Sequence, residues 1–227
     1  MVETENHGAV VGTSRVGGLF GSFYLSLSQG TNYGDVSGTS IIGGLIGFAG
    51  SANLVNVTNA ASVTISGTDD VGGIVGFLDN SVILECGGGV TNLATINTTA
   101  SSVGGIVGDS HTSVTISNCH NTIDVTGGVN VGGIMGSGST SARIFNSTNS
   151  GNISGSNRVG GVAGRLTSTS TSGPVYVANC SNSGDVTGTT NVGGVIAFSH
   201  YLHVNGATNT GTIIGTDSVG GSSDPLP

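Results

Sequence analysis

Val71-Gly72-Gly73-Ile74-Val75-Gly76 is one copy of a phrase that this chain repeats: a branched apolar residue, two glycines, two apolar residues and a small residue. Earlier copies read Val16-Gly17-Gly18-Leu19-Phe20-Gly21 and Ile42-Gly43-Gly44-Leu45-Ile46-Gly47. Later ones start at Val103, Val131, Val159 and Val192, with a clipped copy at Val219. The spacing runs from 26 residues (Val16 to Ile42) to 33 (Val159 to Val192). Self-similarity at such a period marks a repeat architecture, in which each unit buries its apolar face only against its neighbours.

A second phrase keeps step with the first. An asparagine stands ten to twelve residues before each Val-Gly-Gly: Asn6, Asn32, Asn59, Asn92, Asn121, Asn149, Asn182 and Asn209. Four residues after each comes Val or Ile: Val10, Val36, Val63, Ile96, Val125, Ile153, Val186 and Ile213. A third phrase precedes the asparagine by seven and five residues, as in Val114 and Ile116, Val175 and Val177, and Leu202 and Val204. Each period thus holds three short β-like runs bounded by Gly, Ser, Thr, Asn and Asp, the composition of strands joined by turns.

Three runs per period with an asparagine at a fixed corner predict an all-β parallel β-solenoid of seven to eight coils. Like residues then stack at about 4.8 Å, giving a rod about 35–40 Å long. The usual crossover hand makes it right-handed. The Val/Ile column is the expected core ladder, since β-branched side chains pack well on a pleated surface. Stacked asparagines can hydrogen-bond along the rod. Glycine is expected where the chain turns a tight corner or takes positive φ. One domain over residues 1–227 accounts for the chain, with the array from about 6 to 221 and an irregular tail at 222–227.

Composition agrees. There are 43 glycines, four arginines (Arg15, Arg143, Arg158, Arg165) and no lysine, and only 7% of residues are charged. A mean hydropathy of +0.25 is too apolar for a disordered linker. The net charge of -8 leaves no basic footprint for nucleic acid or anionic lipid. No apolar stretch is long enough for a membrane span, and Met1 to Gly8 lacks a signal-peptide core. Both ends are expected to be cut through a repeat array.

Three cysteines do not suggest a disulfide framework. Cys119 and Cys180 share a column two coils apart, about 10 Å, beyond disulfide reach. They are expected to be buried small hydrophobes, and Cys86, before the insertion Gly87-Gly88-Gly89, a looser and more exposed thiol.

No chemistry-bearing constellation recurs. Asp35, Asp124 and Asp185 share a column but fall in non-adjacent coils, and Asp69 and Asp70 read as turn residues. The five histidines (His7, His111, His120, His200, His203) match no nucleophile or metal pattern, and the glycine phrases lack the Lys-Ser/Thr of a phosphate loop. The expectation is a non-catalytic chain without a cofactor. Ice binding would need regular threonine rows. The column after the core ladder reads Val11, Ser37, Thr64, Asn97, Thr126, Ser154, Thr187, Ile214, and three acids interrupt the column before it. A solvated face is the simpler reading.

The doubled apolar pair of the glycine phrase is the best lead to a partner. Neighbours on a strand point to opposite faces. One member should then lie outside as a stripe through Phe20, Ile46, Val75, Val107, Met135, Ala163 and Ile196, unless a bend at the glycines buries both. Such a stripe predicts lateral packing on another solenoid or domain. Open strand edges at the rod ends predict end-to-end self-association, and with it a filament.

The Val-Gly-Gly-Ile-Val-Gly phrase, with Asn-x-Gly-x-Val-x-Gly as in Asn182 to Gly188, resembles the GLUG-motif repeats of bacterial surface proteins, including adhesins and the non-catalytic regions of IgA-specific peptidases. The resemblance runs from Asn6 to Gly221. It implies a secreted or surface-attached solenoid acting as stalk, spacer or adhesive module, and carries over no active-site residue. Ala197, in place of the final glycine, departs from the pattern, as does the longer coil from Asn59 to Val71.

Overall fold

The computed structural model describes residues 4–60, 63–86, 91–169 and 173–221. The tail expected at 222–227 lies outside the described residues, as does the insertion at 87–89. The described residues form a parallel β-solenoid of about seven turns with about 28 residues per coil. Each described strand pairs in parallel with a counterpart one coil away, and one wall breaks into two sheets along the rod. Val16 faces Ile42, Val71 faces Ile42 and Val103, and Val131 faces Val159. Each coil crosses five walls where three runs were expected, because two of the phrases divide at a corner.

The glycine phrase is the corner that shapes the cross-section. One limb, such as Ser40–Gly43, belongs to an eight-stranded sheet, and the next, such as Ile46–Gly50, to a seven-stranded one. At the bend two successive amides donate to one carbonyl of the next coil. Leu45 N and Ile46 N both reach Ile74 O at 3.0 Å, and Ile106 N and Val107 N reach Ile134 O at 3.2 and 2.9 Å. This breaks the alternation of the strand, so both side chains of the apolar pair turn inward. Ile46, Val75, Val107, Met135 and Ala163 are fully buried, Ile196 is buried, and Phe20 packs on the core from the end coil. The expected outer stripe is therefore core.

The glycines serve close approach rather than positive φ, since among the described glycines only Gly206 has positive φ. A Cβ at Gly43 would strike the Ile46 carbonyl oxygen, so the two limbs touch backbone to backbone. A Cβ at Gly73 would strike Gly105 O and the Asn92 amide. The arch thus presses inward until it meets the asparagine wall and divides the interior into two lobes. The larger holds the apolar pair with Leu54, Leu84, Ile116 and Ile144. The smaller holds the Val of the glycine phrase with the Val/Ile ladder.

That ladder runs through Val10, Val36, Ile65, Ile96, Val125, Ile153, Val186 and Ile213. Ile65 stands in it where spacing had placed Val63. In this coil Val63 N donates to Ala60 O at 3.2 Å, and the strand starts at Thr64, so Ile65 takes the ladder position. Val63 is still buried in the same lobe.

Cysteine placement also differs. Cys86 and Cys119 form a disulfide between adjacent coils, with Cα atoms 4.6 Å apart. Cys86 is buried, not an exposed thiol. Cys180 remains a buried free thiol, its pKa raised by burial.

Candidate functional site at the mouth of the arch

The buried asparagines occupy the wall that the arch touches. Each side chain folds back on its own coil and reaches the next. Asn32 Nδ2 donates to Gly34 O at 2.7 Å and to Asn59 Oδ1 at 3.0 Å. Equivalent rungs join Asn6 to Asn32 and Asn59 to Asn92, then Asn121, Asn149, Asn182 and Asn209 in turn. Apart from Asn121 Oδ1, these amides are consumed by hydrogen bonds within the rod.

The outer columns are similarly engaged. Asp35 Oδ1 accepts from Thr64 N, Asp124 Oδ1 from Asn152 N, and Asp185 Oδ1 from Thr212 N, at 2.7–2.8 Å. The acids that sequence reading assigned to a solvated face therefore stand in for strand hydrogen bonds between coils. In the next column Ser66 aligns with Ser37 instead of Thr64, so the column carries Val, Ser, Asn, Thr and Ile without a regular threonine row. The histidines are held by neighbours as well. His7 stacks on Tyr33, His203 on Tyr176, and His111 meets the edge of Phe77.

Chemistry concentrates where the two limbs of the arch open outward. The residue before each Val and the residue after each final glycine face one another across this mouth, the second from the following coil. Arg15 lies 4.5 Å over the Phe48 ring, and Arg158 lies 5.0 Å over Phe198. Several residues on the first side take positive φ without being glycine, among them Arg15, Ile41, Asn130 and Arg158. For a β-branched residue such as Ile41 that conformation is strained.

In the middle of the rod the same geometry opposes two carboxylates. A Cβ at Gly108 would lie 2.7 Å from Val71 N and 2.9 Å from the Asp70 carbonyl carbon, so Asp70 and Asp109 flank touching strands. Burial, with Asp109 and Asp69 nearby, pushes the Asp70 carboxyl up to about 7, although Ser102 hydrogen-bonds to it. Burial also raises Asp109, opposed by bonds from Ser110 N and Ser137 and by the charges of His111 and Arg165. Desolvation and like charge both favour the protonated form. The pair can hold a proton near neutral pH.

Sequence reading took Asp70 for a turn residue and passed over Asp109. The available signal was positional: both flank copies of the glycine phrase in successive coils, one before and one after. Among the described residues no group of three His, Cys, Asp or Glu side chains is placed to hold a metal ion. A depression of about 220 Å³ beside Pro174, Tyr201, Leu202 and His203 presents a phenol and an imidazole but no carboxylate.

No protein-family model matches the chain, and no curated protein and no solved structure matches it.

Proposed function

We propose that this chain is a non-catalytic extracellular rod, serving as stalk, spacer or adhesive module of a bacterial surface protein. One observation carries the reading: the recurring polar side chains, Asn and Asp above all, are spent on hydrogen bonds between coils, as from Asn149 to Asn182 and from Asp185 to Thr212 N. Such a chain encodes length and stiffness column by column. The Cys86–Cys119 disulfide supports an oxidising compartment, where structural disulfides persist. The likeness of the two phrases to GLUG repeats supports the same setting.

The test is to delete one regular coil, residues 126–153, and image both proteins by electron microscopy. A spacer keeps its fold and shortens by about 4.8 Å. Beads coated with either form should then hold a fixed partner at distances that differ by that step. Collapse of the fold on deletion, or filaments in place of discrete rods, would count against a simple spacer.

A further inference from the structure

The asparagine wall is not continuous. It consists of two four-stranded sheets, one from Thr4–Asn6 to Thr91–Asn92, the other from His120–Asn121 to Thr208–Asn209. Elsewhere a backbone rung links the residue after one asparagine to the preceding asparagine: Ala60 N to Asn32 O, Leu93 N to Asn59 O, Ser150 N to Asn121 O, and Ser183 N to Asn149 O. Among the described residues Thr122, which follows Asn121, has no such rung to Asn92. The side-chain ladder stops at the same place. Asn92 Nδ2 turns to Gly105 O at 3.1 Å and to Ala94 O at 3.3 Å, and Asn121 Oδ1 is buried without a partner. Leaving a buried acceptor unpaired costs free energy, so the break is a weak line in the wall.

The disulfide sits on that line. It joins Cys86 to Cys119, two residues ahead of Asn121. Beside it Glu85 receives Ser117 Oγ at 2.6 Å and Asn118 Nδ2. The other walls run unbroken across the gap, pairing Leu84 with Ile116, Ile96 with Val125, Val103 with Val131, and Val75 with Val107.

We infer that the rod contains a joint between Asn92 and Asn121, locked by the Cys86–Cys119 disulfide, and that without the bridge the asparagine wall opens there while the half-rods on either side keep their folds. The four continuous sheets act as the hinge, and the severed fifth wall is the side that parts. The covalent bridge replaces the missing rungs and keeps the rod stiff.

The experiment compares wild type with Cys86→Ala/Cys119→Ala and Cys86→Ser/Cys119→Ser by hydrogen exchange resolved along the chain. Amides around Asn92–Ala94 and Cys119–Asn121 should exchange about tenfold faster or more in the variants, while those of the regular coils from Ile144 to Val192 stay as in wild type. Unchanged exchange at the joint would overturn the inference. So would loss of protection along the whole rod, or failure of both variants to fold, because either would make the bridge a support of the entire fold.

Discussion

Asp70→Asn should flatten the pH dependence that the arch mouth imposes on the rod. The Asp70 carboxyl rises from 3.8 to about 7 on folding, so the native state binds more protons than the unfolded chain between those values. The favourable contribution of the protonated group is complete below pH 3.8 and is lost as pH climbs through about 7. Asp109 is displaced in the same direction and adds to the slope. A shift of that size corresponds to an upper bound of about 4 kcal/mol. Asp70 is only half-buried, and solvent screening brings the expected loss to about 1–2 kcal/mol. For a chain of this length that is about 3–6 °C in melting temperature. Melting followed by circular dichroism between pH 3.5 and pH 8.5 measures it. Wild type should lose that much more than the variant, which keeps the Ser102 contact in neutral form. Equal slopes for the two proteins, or a variant less stable than wild type at pH 8.5, would refute the reasoning.

Two further substitutions probe the arch itself. Val107→Ser places a hydroxyl at a fully buried position in the larger lobe and should cost about 2–4 kcal/mol in urea unfolding; a near-neutral result would return this column to the surface. Gly133→Ala drives a methyl group into Asn149 and the Gly161 carbonyl, neither of which can yield without parting the lobes. A loss of about 3 kcal/mol or more is expected by the same measurement. A tolerated alanine would mean that the arch does not touch the asparagine wall.

The periodicity made the solenoid, its core ladder and its asparagine column legible, because those depend only on which residue types recur. What could not be read was three-dimensional detail inside one period. Strand alternation placed Val75 and Val107 outside, whereas the doubled hydrogen bond to a single carbonyl turns them inward. Counting four residues from Asn59 selected Val63, whereas Val63 N bonds back to Ala60 O and Ile65 pairs with Val36 in the ladder. The disulfide escaped because Cys86 is displaced in sequence from the column of Cys119 by the insertion that follows it. A residue pair separated by 33 positions becomes adjacent only once that extra chain is taken out of the coil. The mouth of the arch was missed for a related reason: Asp70 and Asp109 belong to different coils, and no single repeat contains both.

These departures share a location. The shifted ladder at Ile65, the carboxylate pair Asp70 and Asp109, the bridge Cys86–Cys119 and the broken rung between Asn92 and Asn121 all fall between Val63 and Asn121. The coils from Asn121 to Val192 are more regular, with unbroken asparagine rungs and fully paired walls. In a solenoid each regular column is satisfied by its own neighbours, so it can set length but has little left to offer a partner or a proton. Anything that makes this rod more than a ruler must come from where the repetition fails. Residues 63–121 are therefore the segment whose replacement by regular coils would separate the mechanical role of the array from whatever else it does.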